Sequence, residues 1–332
     1  ASIDEDSGTT TTGVTVRLSA LSAKAVTVTL TKGGTATEND DYKLNTTILI
    51  PVGAQAETVT LTAVADLLNE TNETVEVAIL SVANGTDASV LQTVTIMDND
   101  SLPTVSLSVG GSSINEVTPG HTTTATATLN ALAGRDVTVI LMKTGAATET
   151  ADYTLPTEIT ILRGKSSAGV TVTAVDDLRD EANEAIVIDI DTVINGLEFG
   201  DQQKIVTLMD NEPRPKVTLS VESISVNEVG EPTTTPVTLT LNAISELDVT
   251  VSLTTAGSAI KDADYTLSNT VIVLAGNLAA TTTLTVLDDP LRETSETIVI
   301  DIDTLINGDE FGTQKKTVTI ISDDPLPKMT LS

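Results

Sequence analysis

Hydrophobic and polar residues alternate along most of this chain with a period of two. Val26, Val28 and Leu30 are separated by threonines, and the same alternation returns at 249–253. Strict alternation over a short segment predicts a β-strand with one buried face. Gly, Asn and Asp turns separate these segments, and no segment has a helical period. The pattern therefore predicts an all-β chain of antiparallel sandwiches, with about seven strands for every ~110 residues.

The alternating pattern occurs three times. Tyr42, Tyr153 and Tyr265 each follow an aspartate, at spacings of 111 and 112 residues (153 − 42 and 265 − 153). The same spacings relate Glu73, Glu184 and Glu296; Glu5, Glu116 and Glu228; and the Asn-Gly pairs at 84–85, 195–196 and 307–308. A period of this length indicates an array of domains rather than a solenoid of small units.

Proline-containing segments at 101–103, 213–215 and 325–327 mark the boundaries between copies. They divide the chain into domains at 1–100, 101–212 and 213–324, followed by a short segment at 325–332. Proline in a short connection stiffens it and provides no backbone donor. We therefore expect the three domains to form a rod.

The two ends of the chain are related. Residues 328–332 align without gaps with 216–220, the first strand of the third copy, whereas the first copy lacks this strand because Ala1 aligns with Ser112. Joining Ser332 to Ala1 would restore the repeat except for the counterparts of residues 109–111. One interpretation is a window from a longer array, in which 325–332 opens the next domain. The other is that the last strand completes the first domain of another copy. The first is favoured, because proteins usually avoid an open sheet edge.

Composition narrows the classes of partner. The chain has 47 acidic and 17 basic residues, a net charge of −30, so it should repel nucleic acid and anionic membranes and attract cations. No apolar run is long enough to cross a bilayer, so we expect no direct membrane insertion. The absence of cysteine excludes disulfides and thiolate metal sites.

The acidic residues recur at matching places in the three copies, mostly at strand ends and in loops. Loops at one end of a sandwich converge, and several carboxylates that meet there do not all stay ionised without a cation. Ca²⁺ takes six to eight hard oxygen ligands in flexible geometry, whereas Mg²⁺ needs a tighter octahedron. Any single acid is explained well enough as part of a solvated surface. The repeated set favours calcium.

Three motifs carry a resemblance to a known family. The segments Ala-Asp-Tyr-Thr at 151–154, Val-Asp-Asp-Leu-Arg-Asp-Glu-Ala-Asn-Glu at 175–184 and Met-Asp-Asn-Glu at 209–212 resemble the Calx-β signature. The resemblance covers essentially the whole chain, three times. It implies immunoglobulin-like sandwiches that bind Ca²⁺ through an acid after the first strands, the Asp of the Asp-Tyr pair, one Asp and two Glu of the middle motif, and the terminal acids.

Carried over by position, this ligand set has seven members in each copy. In the first copy they are Glu5, Asp41, Asp66, Glu70, Glu73, Asp98 and Asp100. In the second they are Glu116, Asp152, Asp177, Glu181, Glu184, Asp210 and Glu212. In the third they are Glu228, Asp264, Asp289, Glu293, Glu296, Asp323 and Asp324. Ala65 stands where the middle motif has its first Asp, Ser322 stands in place of Asp98 and Asp210, and Asn99 and Asn211 stand where some members of the family carry Asp. Fewer charges should weaken binding or reduce the number of ions held.

Enzyme activity is not expected. His121 is the single histidine and lies in a predicted turn without a counterpart in the other copies, so Ser–His and Cys–His nucleophiles are nearly excluded. Aromatic residues are too few for the sugar platforms of a glycosidase.

The sequence predicts a secreted, calcium-stiffened structural or adhesive segment of a cell-surface protein or filament. Its expected partners are neighbouring copies of the same repeat and a cell-surface or carbohydrate ligand. The alternatives are a regulatory Ca²⁺-sensor module of a membrane transporter and a spacer of a secreted multidomain enzyme.

Overall fold

The computed structural model describes residues 1–5, 10–229 and 233–331. All regular secondary structure in these ranges is β-strand. The described part of the chain has no helix long and apolar enough to cross a lipid bilayer. The fold is all-β, as the alternating pattern predicts.

The strands fall into three modules, which we name module 1 (1–100), module 2 (101–212) and module 3 (213–324). Module 1 contains β1 (Ser2–Asp4), β2 (Thr11–Arg17), β3 (Val26–Gly34), β4 (Tyr42–Leu44), β5 (Thr47–Ile50), β6 (Ala56–Ala63), β7 (Glu73–Ala83) and β8 (Gln92–Met97). Module 2 contains β9 (Thr104–Val109), β10 (Ser113–Asn115), β11 (Thr122–Leu129), β12 (Val137–Gly145), β13 (Tyr153–Thr154), β14 (Glu158–Ile161), β15 (Ser167–Ala174), β16 (Glu184–Ile194), β17 (Leu197–Glu198) and β18 (Lys204–Met209). Module 3 contains β19 (Lys216–Val221), β20 (Ser225–Glu228), β21 (Thr233–Leu241), β22 (Val249–Gly257), β23 (Tyr265–Thr266), β24 (Thr270–Val273), β25 (Ala279–Val286), β26 (Glu296–Ile306), β27 (Asp309–Glu310) and β28 (Lys316–Ser322).

Each module is a sandwich of two sheets. The first sheet has five strands in every module, in the orders β1-β8-β7-β3-β5, β10-β18-β16-β12-β14 and β20-β28-β26-β22-β24. The second sheet is β13-β15-β11-β9-β17 in module 2 and β23-β25-β21-β19-β27 in module 3. In the described part of module 1 it has three strands, β2-β6-β4. Most pairs are antiparallel, but β1–β8, β10–β18 and β20–β28 in the first sheets and β9–β17 and β19–β27 in the second sheets are parallel.

The core of each module lies between its two sheets and consists mainly of Val, Ile, Leu and one Tyr. Val26, Val28 and Leu30 are buried, while the threonines between them are not. Branched side chains pack well on a pleated surface, so a core almost without aromatic residues still fills the space between the sheets. The burial pattern predicted from the alternation is thus confirmed.

The modules contain more strands than the roughly seven predicted for each copy, because some of their strands are very short. Modules 2 and 3 each have ten strands in the ranges described, and several of these, such as β13 and β17, have only two residues. Two residues carry no readable alternation, so the sequence pattern does not reveal such strands.

The Asn-Gly pairs form the turns that follow the longest strands. Asn84, Asn195 and Asn307 adopt φ values of 62°, 60° and 59°. Asparagine tolerates this left-handed conformation better than most residues because its amide bonds to nearby backbone. Here Asn195 Nδ2 donates to the carbonyl oxygen of Asp136 at 2.9 Å, which fixes the turn against the start of β12.

Candidate metal centres

The acidic residues gather at one end of each sandwich because of how the strands run. The parallel strands β10 and β18 end together, with Asn115 opposite Met209 in the register. The next residues, Glu116 and Asp210, therefore emerge side by side. At the same end, β16 begins with Glu184, and Tyr153 pairs with the last residue of β15. The loop 175–183, which joins β15 to β16, brings Asp177 and Glu181 to this end.

Backbone hydrogen bonds hold the aspartate of each Asp-Tyr pair in place. In module 2, the N–H of Thr148 donates to Asp152 Oδ2 at 2.5 Å. The N–H of Val175 donates to the carbonyl oxygen of Asp152 at 2.9 Å, which ties two of the acidic loops together. Asp41 and Asp264 accept the corresponding bonds in modules 1 and 3. The three side chains are therefore positioned by local backbone.

A tight turn positions the aspartate of the middle motif. Asp177 Oδ1 accepts a hydrogen bond from the N–H of Arg179, two residues on, at 2.8 Å. Asp66 and Asp289 accept the same bond in the other modules, each at 2.7 Å. An aspartate that bonds two residues ahead forms an Asx-turn, a local arrangement that depends little on tertiary packing.

One carboxylate cluster in module 2 combines Glu116, Asp210 and Glu212. Each contributes an oxygen within 4.8 Å of the other two. Glu116 is only 6% exposed, and its Oε2 atom is buried with no hydrogen-bond partner among the described residues. A buried oxygen without a donor is unfavourable unless something positive binds it. Module 1 has a similar cluster of Glu5, Asp66 and Asp100, in which Asp66, the counterpart of Asp177, takes the place of Asp98.

A second cluster forms around the Asp-Tyr pair. Asp41, Glu70 and Glu73 bring their oxygens within 4.8 Å of one another in module 1, as do Asp264, Glu293 and Glu296 in module 3. In module 2 the corresponding residues are Asp152, Glu181 and Glu184. Together with Asp177 they line a cavity of about 300 Å³.

The remaining residues of the expected set lie nearby without joining a cluster. Asp98 accepts hydrogen bonds from the N–H of Glu70 and the side chain of Asn69, both at 3.1 Å. Glu228 is almost fully buried, and this burial, with the nearby carboxylates of Asp289 and Asp324, raises its pKa. Asp323 is exposed. In module 3, Ser322 Oγ accepts the N–H of Glu293 in place of a carboxylate.

Several glutamates in these clusters have raised pKa values. Burial, with the neighbouring carboxylates of Asp210 and Glu212, raises the pKa of Glu116 from 4.5 to about 8. Burial and nearby acids raise the pKa of Glu5 to about 7, and the pKa values of Glu73 and Glu181 also to about 7. Desolvation disfavours the charged form, and like charges add to the effect. A cation would relieve both.

The donor set fits a hard divalent cation. Every candidate ligand is a carboxylate oxygen, and the three oxygens of each cluster lie within 4.8 Å of one another, so one ion could contact all three. Ca²⁺ accepts carboxylates as one- or two-oxygen ligands in such geometry. Each cluster would hold it through the three carboxylates named above, with backbone carbonyls and water completing the shell.

The acidic end of each module also contacts the next module. The N–H of Gly134 donates to Asn69 O at 3.1 Å, and the N–H of Glu246 donates to Asp180 O at 3.0 Å. Ser245 Oγ lies 2.8 Å from Asp180 Oδ2 and donates to it. Thus the same loop that supplies Asp177 and Glu181 forms the junction between modules 2 and 3.

Sequence reasoning missed one acidic residue at this site. Glu246 of module 3 lines the module 2 cavity, pairs with Arg179 and helps to raise the pKa of Glu181. Its counterpart in module 2 is Gly134, which packs so closely on Glu70 that an added Cβ would lie 2.1 Å from Glu70 Oε1. Because Glu246 is not repeated, a search for matching acids does not find it.

Comparison with known proteins agrees with the motifs. The family model of the Calx-beta domain matches residues 1–100, 98–212 and 210–324. Similar solved structures include CBD12 from CALX1.2, with 16% identity, TM-score 0.27 and coverage of 58% of this chain and 77% of that one. Another is the apo-form Calx CBD1 domain, with 18% identity, TM-score 0.27 and coverage of 33% and 99%.

A comparison with curated protein sequences finds no match. Because the TM-scores are low, the assignment rests on the three consecutive segments that the family model matches. The chain belongs to the Calx-beta domain family, whose members are calcium-binding and structural modules rather than catalytic ones.

Proposed function

We propose that this chain is an extracellular structural array whose modules bind Ca²⁺ at their carboxylate clusters and are stiffened by it at their junctions. The proposal rests on the position of one loop in each of modules 1 and 2. In modules 1 and 2, the loop that supplies cluster carboxylates also contacts the next module, through Asn69 and Asp180. An ion bound to that loop would restrict its motion and, with it, the motion of the junction.

The charge of the chain supports a role for calcium in stability. A net charge of −30 destabilises a compact state through self-repulsion. The repulsion is concentrated where carboxylates cluster, and burial together with this repulsion raises the pKa of Glu116. Neutralising these clusters with divalent ions would therefore stabilise the modules.

An extracellular setting suits such sites. The Ca²⁺ sites of extracellular modules typically bind with Kd values of about 10⁻⁴–10⁻³ M, and sites of this affinity fill only where calcium is abundant. The role requires no catalytic group. Near-equal carboxylate sets in three modules serve repeated binding better than a unique reaction centre, and repeated modules provide length to a cell-surface protein or filament.

A calcium titration of the full chain tests the proposal. We expect the melting temperature to rise by roughly 10 °C when calcium exceeds Kd about 100-fold, equivalent to about 2.7 kcal/mol. Small-angle scattering should show a longer, less variable particle with calcium than with chelator. Magnesium at the same concentration is the control and should have a smaller effect. Unchanged melting and scattering on chelation would contradict the proposal.

A further inference from the structure

Two peptide bonds at the acidic end of module 3 join an aspartate to a proline. They are Asp289–Pro290, in the loop between β25 and β26, and Asp324–Pro325, shortly after β28. An aspartate can attack its own backbone carbonyl carbon through its side-chain carboxyl group, because the attack closes an unstrained five-membered ring. Proline then leaves as a secondary amine, which takes up a proton readily. Asp–Pro bonds are therefore among the most acid-sensitive peptide bonds.

The structure places a hydrogen-bond donor on one of these two bonds. The guanidinium Nη1 of Arg292 donates to the backbone carbonyl oxygen of Asp324 at 3.0 Å. When the carboxyl group attacks, this oxygen takes up the negative charge of the tetrahedral intermediate. A cationic donor that is already in position stabilises this charge as an oxyanion hole does.

The carboxyl groups of the two aspartates are held differently. Asp324 Oδ2 is buried and has no hydrogen-bond partner among the described residues. Asp289 Oδ1 instead accepts the N–H of Leu291 at 2.7 Å, and this Asx-turn holds the oxygen on the residues that follow. The two bonds thus have the same covalent chemistry in different surroundings, and those of Asp324 favour attack.

The ends of the other two modules each differ in one part. At the end of module 1, Asn69 Nδ2 donates to the carbonyl oxygen of Asp100 at 2.7 Å, but Ser101 follows in place of proline. At the end of module 2, proline is present as Pro213, but Glu212 precedes it. The longer side chain of glutamate closes a six-membered ring less readily. The end of module 3 combines the aspartate, the proline and the donor.

We propose that the chain cleaves itself at the Asp324–Pro325 bond. A side-chain oxygen of Asp324 bonds to the backbone carbonyl carbon of the same residue, and the C–N bond to Pro325 breaks. The proton of the carboxyl group passes to the proline nitrogen, and Asp324 becomes a cyclic anhydride. Water then opens the anhydride and leaves Asp324 as a new carboxyl end. Pro325 is exposed, so water reaches the reacting group.

The reaction needs one proton and one water molecule, and it occurs once in each chain. It separates module 3 from the residues that follow it, which is a function beyond calcium binding. Besides Arg292, the charged groups near the carboxyl group of Asp324 are acids from β20, from the loop 287–295 and from its own segment. They are Glu228, Asp288, Asp289, Glu293 and Asp323.

Mass spectrometry of the full chain, incubated at pH 5, tests the proposal. All samples contain chelator, because Asp324 is also an expected calcium ligand. We expect the Asp324–Pro325 bond to cleave at least about tenfold faster than the Asp289–Pro290 bond, at a rate independent of chain concentration. Equal rates at the two bonds, or an intact Asp324–Pro325 bond, would overturn the proposal.

The same incubation in denaturant separates the effect of the fold from that of the local sequence. Unfolding removes the contact between Arg292 and Asp324, so the two Asp–Pro bonds should then cleave at similar rates. If the preference for Asp324–Pro325 is as large in the unfolded chain as in the folded one, the structure does not select the bond and the proposal is wrong.

Three variants test the parts of the site. Arg292→Ala should slow cleavage after Asp324 by about tenfold and leave the Asp289–Pro290 bond unaffected. Asp324→Glu keeps the charge but lengthens the side chain, and Pro325→Ser introduces the residue that follows Asp100; both should nearly abolish cleavage. The three side chains lie on or near the surface, and thermal melting checks that each variant folds. Cleavage at the original rate in any of the three would overturn the assignment.

Discussion

Replacing Glu116 with glutamine should stabilise module 2 without calcium and weaken its response to calcium. The side chain keeps its shape but loses its charge, next to Asp210 and Glu212. Its amide donates a hydrogen bond as the protonated carboxyl does, and it keeps this donor at high pH, where the carboxylate only accepts. The calcium cluster loses one of three charged ligands.

The raised pKa of Glu116 gives the size of the first effect. The pKa is 4.5 in the unfolded chain and about 8 in the folded module. At about 1.4 kcal/mol for each tenfold change in the ionisation constant, the full difference would be about 5 kcal/mol. Solvent access at the open end of the sandwich reduces it, and we expect about 2 kcal/mol.

The sign follows from proton binding. Between pH 4.5 and 8 the folded state retains a proton that the unfolded state has released, so the stability of the calcium-free module falls as pH rises through this range. Glutamine does not titrate. The variant should therefore be more stable than the original by about 2 kcal/mol at pH 8, and the two should converge near pH 4.5.

The second effect follows from ligand loss. If the variant binds calcium tenfold more weakly, the stabilisation at 100 times the original Kd falls from about 2.7 to about 1.4 kcal/mol. Denaturant unfolding at pH 5 and pH 8, with calcium and with chelator, measures both effects. Glu158→Gln removes the same charge from an exposed position in β14 and serves as the control. A calcium-free variant that is less stable at pH 8, with an unchanged calcium response, would refute the reasoning.

Three further outcomes are expected. Calcium affinity, measured by titration calorimetry, should fall roughly tenfold between pH 8 and pH 6. Glu5, Glu73 and Glu296 have pKa values near 7, so protons compete with calcium for these carboxylates in this range. A pH-independent affinity would exclude these carboxylates as ligands. Gly145→Ala should lower the free energy of unfolding of module 2 by about 3 kcal/mol or more, measured by denaturant unfolding, because the added Cβ would lie 2.0 Å from Ala185 O and the backbone has a φ of 120°. Gly164→Ala, also at positive φ but with open space around it, should cost only about 1 kcal/mol, and equal losses would contradict the steric argument. Ser322→Asp should strengthen calcium binding in module 3 by about 1 kcal/mol or more, measured as a gain in affinity or stoichiometry over Ser322→Asn.

The local pattern of the sequence determined the strands and the nature of the ligands. Alternation at Val26, Val28 and Leu30 fixes which side chains face the core, because successive residues of a strand point to opposite faces. Asp177 is positioned by a turn of its own backbone, so its place can also be inferred from neighbouring residues. Calcium could be predicted as the ligand because the acids recur at matching positions in the three copies, a pattern that is visible in the sequence alone.

Only the tertiary structure decided how the acids are grouped. Glu116 joins Asp210 because two parallel strands, far apart in sequence, end at the same edge. Glu246 reaches the module 2 cavity across a junction, and Asp98 bonds to Asn69 instead of joining a cluster. These contacts depend on strand pairing and on how modules meet. Such long-range geometry leaves no period in the sequence, which is why the ligand types were predictable and their arrangement was not.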